Sequence, residues 1–183
     1  EEVIKKVIPA QQLAKDVVRY VGDCVAVLVA EDRYQAQDAL ELIDVDYDPL
    51  PAVVDPQKGA AKDAPQLHAD IDGNQAFHWT VAGGDVDAAF AKADVVVKDR
   101  IIQQRLIPTA METRGAVAKF SSATGELTLW NTTQNPHIVR FLTSLVAGVP
   151  EDKLRVIAPE VGGGFGSKIP AIPGDFLTVF CAM

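Results

Sequence analysis

Val161-Gly162-Gly163-Gly164-Phe165-Gly166-Ser167-Lys168 places four glycines within the five residues Gly162 to Gly166. Such a cluster gives up conformational entropy on folding. It belongs where the backbone must approach another group closely or take φ values closed to other residues. Successive N–H groups in a loop of this kind form a concave anion site, fit for a phosphate or a metal-bound oxo group. Two phosphate-binding patterns fail here. A P-loop starting at Gly162 would need Gly-Lys-Ser or Gly-Lys-Thr where the chain has Ser167-Lys168-Ile169. The dinucleotide fingerprint would need its third glycine where Ser167 stands and a helix beyond it, and Pro170 and Pro173 interrupt that stretch. On the loop alone, a turn that merely joins two elements stays open as the other reading.

Working back from the loop, Leu154 to Ile157 predicts a short strand that delivers the chain into it. Before that, Asn135 followed by Pro136 marks a helix start, with the asparagine side chain as cap and a proline that wastes no donor. The helix runs to about Ala147, puts Ile138, Val139, Phe141, Leu142, Leu145 and Val146 toward a core, and is closed by Gly148 and Pro150. Ala116 to Phe120 and Leu127 to Trp130 predict a hairpin whose connection contains Gly125. Asp85 caps a short helix carrying Val86, Ala89, Phe90 and Ala93, and Val95-Val96-Val97 with Ile101-Ile102 predicts a long strand.

Nearer the start, Val25 to Ala30 is a continuous apolar run suited to a buried strand, and Ala36, Ala39, Leu40 and Ile43 recur at helical spacing. Ile43, Val45 and Tyr47 then alternate with Asp44, Asp46 and Asp48 until Pro49 and Pro51, so the grammar is strand, helix, strand with a solvated carboxylate row. From Asp55 to Gly84 the composition turns to Pro, Gly, Asp, Lys, Ala and His without a sustained period, which predicts a loop-rich connection. The domains are therefore expected at 1–60, with a linker at 61–84 and a second domain at 85–183. The fold class is α+β.

A chain of 183 residues with 48% apolar content can bury a core, and its net charge of −8, with basic residues scattered, disfavours a nucleic-acid partner. The longest apolar stretch, Cys24 to Ala30, is far shorter than the roughly 20 residues of a membrane span. No signal-peptide pattern follows Glu1-Glu2, and two distant thiols, Cys24 and Cys181, fit a cytoplasmic protein better than a disulfide-stapled one. The chain starts without methionine and stops within the apolar run Phe176 to Met183, so it reads as a piece of a longer polypeptide. His68, His78 and His137 have no metal-ligand spacing, and His137 falls in the first turn of its helix, so no metal-ligating residues are expected. Ser167-Lys168 lacks a partnering histidine and reads as a polar loop end rather than a nucleophile pair.

Three stretches carry a family resemblance. Tyr20-Val21-Gly22-Asp23 through Val25 to Tyr34, and on to Val45-Asp46-Tyr47-Asp48-Pro49-Leu50-Pro51, resembles the α/β hammerhead domain of the molybdenum hydroxylase large subunits, the xanthine dehydrogenase and aldehyde oxidase family. Met111-Glu112-Thr113-Arg114-Gly115 and Leu129-Trp130-Asn131-Thr132-Thr133-Gln134-Asn135-Pro136-His137 resemble the start of the molybdopterin-binding domain. So does Val156 to Gly166. The matches cover nearly the whole chain in the family's order, and they are most similar to the aerobic carbon monoxide dehydrogenase branch.

The resemblance implies a catalytic subunit that holds molybdenum in a molybdopterin, in its cytosine dinucleotide form. It would hydroxylate a small-molecule substrate with oxygen from water and pass two electrons to an iron-sulfur small subunit and an FAD-binding medium subunit, in a dimer of heterotrimers. It also implies that Gln134 hydrogen-bonds an oxygen ligand of molybdenum, since a side-chain amide can donate there. Phe165 would lie beside the substrate, Gly164 and Gly166 would present N–H groups to cofactor oxygens, and Gly163 would complete the loop. The residues alone leave Gln134 open as an ordinary polar residue before a helix, Phe165 as a core anchor, and Glu112 and Arg114 as members of a buried salt bridge. The family's catalytic glutamate and copper-binding cysteine loop would lie beyond Met183, so no catalytic residue is expected within the chain and the piece alone would be inactive, whether or not it binds cofactor. Xanthine-oxidising relatives carry glutamate where this chain has Ile169, which argues against purine. Aldehyde or N-heterocycle hydroxylation, and a non-catalytic scaffold, are the alternatives.

Overall fold

The computed structural model describes residues 13–183, which divide into two units, one of residues 46–105 and one of residues 13–45 with 106–183.

In the 46–105 unit, helix α2 (Pro56–Gly59) begins on Asp55, whose carboxylate accepts from the N–H groups of Gln57 at 2.8 Å and Lys58 at 3.3 Å. Gly59 is buried, and a Cβ there would stand 2.7 Å from Val53 Cγ1. The stretch expected to be loop-rich is pinned by one side chain. Asn74 Oδ1 accepts from Leu67 N–H at 2.8 Å while its Nδ2 donates to the carbonyls of Gly59 and Pro65, both at 2.9 Å. These bonds replace the regular ladder that the composition denies this segment. Helix α3 (Val86–Ala91) starts where expected, with Asp85 Oδ1 accepting from Ala88 N–H at 2.9 Å.

The other unit contains helix α1 (Arg33–Leu40), capped by Asp32 through Tyr34 N–H at 2.8 Å and Gln35 N–H at 2.9 Å. Its centre is a three-stranded sheet, β1 (Ala116–Ser121), β2 (Glu126–Asn131) and β3 (Leu154–Ile157), in the order β1-β2-β3. The expected hairpin pairs β1 and β2 antiparallel with Ala118 opposite Leu129, and Gly125 takes φ 70° in its turn. Helix α4 (Pro136–Ala147) then crosses to β3, which pairs parallel to β2 with Leu129 opposite Val156. Gly148, at φ 69°, ends α4 in the left-handed conformation that favours glycine. Leu127, Leu129, Val139, Val149, Leu154 and Val179 form the core. Burial of each leucine contributes about 1.5–3 kcal/mol relative to exposure.

Four details differ from the sequence reading. Val25–Ala30, Ile43–Asp48 and Val95–Ile102 lie outside every ladder among the described residues. An apolar run becomes a strand only when a neighbouring strand takes up its N–H and C=O groups, and among the described residues the bonds here are local ones, Ile43 N–H to Leu40 C=O at 3.2 Å and Arg100 N–H to Asp99 Oδ1 at 2.7 Å. Asn135 makes no side-chain cap: its φ of −140° and ψ of 65° lie outside the extended region usual for a capping residue, and Pro136 at the first position starts the helix. A helix does follow the glycine loop: α5 (Pro173–Ala182) contacts β1 and α4 and buries Val179. Pro173 is its first residue, where a missing N–H costs nothing, and Asp175 Oδ2 accepts from Ile172 N–H at 3.0 Å. Lastly, the closing apolar run, read without any secondary structure, is helical from Phe176 to Ala182. Both cysteines are free thiols, and no helix of the described residues is long and apolar enough to cross a membrane.

Candidate cofactor-binding site

Strand β2 and helix α4 are separated by Thr132-Thr133-Gln134-Asn135, and this short connection meets the far end of the glycine loop. Lys168 C=O accepts from Gln134 N–H at 2.9 Å and from Thr133 Oγ1 at 3.1 Å. In return, Gln134 Oε1 accepts from Gly166 N–H at 3.1 Å and Lys168 N–H at 3.3 Å. Both lone-pair directions of the amide oxygen are thereby occupied, which fixes which end of the amide is which. The Nε2 hydrogens are left undonated among the described residues. Gln134 is not an ordinary polar residue ahead of a helix, since its side chain and main chain both bind the loop.

The loop's entrance is tied to a different segment. Glu112 N–H donates to Gly162 C=O at 3.2 Å, and Gly162 N–H returns a bond to Glu112 Oε2 at 2.7 Å. The same carboxylate oxygen accepts from Lys168 Nζ at 2.7 Å. Lys168 is 2% exposed, and Glu112 is half-buried. The Lys168 ammonium first, and the Gly162 N–H second, hold the Glu112 carboxyl below the usual glutamate range. Of the salt bridge suspected for Glu112 and Arg114, only the glutamate takes part; Arg114 Nη2 donates to Ser167 C=O instead. Ser167 is turned inward, its N–H and Oγ both donating to Gly164 C=O at 2.8 and 2.9 Å, which fits a polar loop end.

Between these ties the backbone runs through positive φ at Gly163 (98°), Phe165 (49°) and Gly166 (88°). Glycine takes such values freely, whereas a phenylalanine there holds a conformation that costs about 1–3 kcal/mol. Phe165 is 75% exposed, so it is no core anchor in this chain. Gly164 is buried, and a Cβ on it would lie 2.5 Å from Gln134 Cδ and 2.8 Å from Cγ. A Cβ on Gly163 would stand 3.0 Å from the Phe165 ring. The two glycines are therefore needed for close approach rather than for turning alone.

The N–H groups of Gly163, Gly164 and Phe165 have no acceptor among the described residues, whereas Gly166 N–H is committed to Gln134. That departs from the expectation that Gly166 would offer its N–H outward. What the site presents is a row of neutral donors, the three loop amides and Gln134 Nε2. Among the described residues no group of three or more His, Cys, Asp or Glu is gathered to hold a metal ion directly. Hydrogen-bond donors without metal ligands fit an oxygen-rich group that brings its metal in its own chelate, and the residues present are in that sense compatible with a metal-bearing pterin. Sequence reading took Lys168 for part of a polar loop end, whereas it is buried and paired, and gave Thr133 no role. Lys168 is 56 residues from Glu112, and no local period signals a pairing of that kind.

Comparison with known proteins gives the same family from both halves of the chain. The family model described as "Molybdopterin cofactor-binding domain" matches residues 67–183, and "Aldehyde oxidase and xanthine dehydrogenase, a/b hammerhead domain" matches residues 2–51. The carbon monoxide dehydrogenase large chain of Afipia carboxidovorans is 45% identical over 93% of this chain and 23% of its own length. The nicotine 6-hydroxylase large subunit of Paenarthrobacter nicotinovorans is 39% identical over 90% of this chain and 20% of its own. The crystal structure of quinoline 2-oxidoreductase from Pseudomonas putida 86 superposes with a TM-score of 0.87 at 35% identity, covering 99% of this chain and 23% of that one. The chain thus spans less than a quarter of the length of these relatives. Within that span, an α/β hammerhead sequence is followed by molybdopterin-binding sequence, and the chain belongs to the carbon monoxide dehydrogenase and xanthine dehydrogenase family of molybdopterin-binding oxidoreductase subunits.

Proposed function

We propose that this chain supplies one wall of the molybdopterin site in a carbon monoxide dehydrogenase-like oxidoreductase, with Gln134, Gly163, Gly164 and Phe165 as its cofactor-facing residues and Gly166 behind them, holding Gln134. The observation that carries this reading is the Gln134 amide: its oxygen is held by Gly166 and Lys168, so its Nε2 hydrogens stay available beside three undonated loop amides. When bound, the cofactor supplies two-electron oxidation of a substrate carbon with oxygen from water. The chain's own part is positional. Gln134 Nε2 donates to an oxygen of the group, the amides of Gly163 to Phe165 orient it, and Gly166 serves indirectly by fixing Gln134. Phe165, exposed and conformationally constrained, lines the substrate side and excludes water from it.

Carbon monoxide as substrate is supported by the 45% identity to a carbon monoxide dehydrogenase large chain and by Ile169, an apolar residue at the position where the family resemblance implies a glutamate for purine oxidation. Hydroxylation of an N-heterocycle is the second reading, supported by the similarity to nicotine 6-hydroxylase and quinoline 2-oxidoreductase. Either way the reading includes a cytosine dinucleotide form of the cofactor and iron-sulfur and FAD-binding partner subunits in a dimer of heterotrimers in the cytoplasm. It also includes a hammerhead domain over 1–60, a connection over 61–84 and cofactor-binding sequence over 85–183. No residue of the chain is assigned as base or copper ligand, so the 183 residues by themselves are expected to be inactive. Assaying the holoprotein, as purified, for carbon monoxide oxidation read by reduction of an electron acceptor, and for quinoline or nicotine hydroxylation in water labelled with oxygen-18, tests the reading. Acceptor reduction by carbon monoxide, or a labelled hydroxylated ring, supports it. A fully loaded protein silent on all of them, or a hydroxylated ring without label, would refute it.

A further inference from the structure

The strongest feature that the proposed site does not itself use is the Glu112–Lys168 pair. Lys168 is 2% exposed, its ammonium meets a single carboxylate oxygen at 2.7 Å, and its main chain makes three further hydrogen bonds in the site. Its N–H donates to Gln134 Oε1, and its C=O accepts from Gln134 N–H and Thr133 Oγ1. Glu112 in turn holds Gly162, the first residue of the loop, through both N–H and C=O. One ion pair therefore joins the two ends of a seven-residue glycine-rich loop and includes one of the two residues that set the Gln134 amide orientation.

We propose that Glu112 and Lys168 are positioning residues for cofactor chemistry, acting through Gln134. The inference rests on the functional reading above. An amide can turn end for end about its last bond unless hydrogen bonds distinguish its oxygen from its nitrogen. Here two main-chain donors do so, from Gly166 and Lys168, and the Lys168 donor is itself held in place by the side chain buried against Glu112. The ammonium–carboxylate bond is what ties residue 168 to Glu112: with Glu112 altered the unpaired ammonium escapes to water, and with Lys168→Met the side chain has no bond to hold it in register. The Lys168 main chain then moves as well, and the amide loses one of the two bonds that keep Nε2 as the outward donor. Outer partners of this kind tune a metal site without touching it.

The test is a double-mutant cycle between Lys168→Met and Gln134→Ala in the holoprotein as purified, read by molybdenum and pterin content, by the Mo(V) EPR spectrum, and by KM and by kcat per bound molybdenum separately. If Lys168 acts through Gln134, Lys168→Met lowers kcat by about tenfold or more with KM little changed and shifts the EPR spectrum in the same sense as Gln134→Ala. The double variant is then no worse than Gln134→Ala alone. Glu112→Gln, which keeps an acceptor for Gly162 N–H and Lys168 Nζ but removes the charge, produces the same spectral change in smaller measure, and it decides the matter if Lys168→Met does not fold. Losses that add, or an EPR spectrum unchanged in both Glu112→Gln and Lys168→Met, would overturn the proposal. A wild-type protein without molybdenum and pterin would instead overturn the functional reading on which it rests.

Discussion

Adding one methyl group at Gly164 should separate the close-approach role of this glycine from a mere turning role. In Gly164→Ala the new Cβ would stand 2.5 Å from Gln134 Cδ and 2.8 Å from Gln134 Cγ, well inside carbon–carbon contact distance. Gly164 is buried and the side chain it meets is held by two hydrogen bonds, so the obstacle cannot swing aside without breaking them. Overpacking of this kind costs about 1–3 kcal/mol, which in a domain of this size lowers the melting temperature by roughly 2–12 °C. The control is Gly125→Ala in the β1–β2 turn, where φ is 70° and nothing lies within 4 Å. Its cost is backbone strain alone, about 1–2 kcal/mol, with no effect on cofactor retention. Because the two ranges overlap, the deciding assay is the cycle with Gln134→Ala. Removing the glutamine beyond Cβ removes the collision, so Gly164→Ala should become nearly neutral in that background, leaving a coupling of about 1–3 kcal/mol in thermal or urea unfolding. Equal destabilisation by Gly164→Ala with and without Gln134 would refute the reasoning.

Other perturbations follow from the fold. Leu129→Ala, at a fully buried core position on the central strand, should cost about 2–5 kcal/mol in urea unfolding, through lost burial plus a cavity. Thr143 is 0% exposed and its hydroxyl has no partner among the described residues, so Thr143→Val should be neutral or stabilise by about 1 kcal/mol; a loss of more than that would reveal a bond to the hydroxyl. Arg140→Ala breaks an exposed pair with Glu151 and should cost about 0.2–1 kcal/mol, vanishing at high salt. Glu112 is held below the usual glutamate range by Lys168 and the Gly162 N–H. Its folded-state carboxyl binds a proton less readily than the unfolded one, so its stabilisation is present above the ordinary glutamate value and is lost as pH falls through the lowered one. Acid unfolding of wild type and Glu112→Gln, followed by circular dichroism, should show the curves converging as pH drops through that window.

How much of this was legible in the sequence depends on how local each signal is. The hairpin, α4 and β3 could be read because Gly125, Pro136 and Gly148 act within their own turns. Helix α5 was lost because Pro173 breaks a helix in its interior and starts one at its first residue, and the same letter serves both. Val25–Ala30 and Val95–Ile102 are apolar enough for strands, yet a ladder depends on a partner that an apolar run cannot name. At the site, four neighbouring glycines announced a loop of close approach, and the family resemblance singled out Gln134. Neither identified the buried Lys168, whose partner lies 56 residues earlier, nor the commitment of Gly166 N–H to Gln134, since both are products of the folded loop.

The most direct test of the central claim, that Gln134 and the glycine loop hold a molybdopterin, is the molybdenum and pterin content of the purified holoprotein measured side by side with Gln134→Ala and Gly164→Ala. The expected result is stoichiometric molybdenum and pterin in the wild type, with both variants losing cofactor on gel filtration, on the order of 10-fold or more, while remaining folded. Wild type and both variants carrying equal cofactor, or a fully matured wild type carrying none, would contradict it.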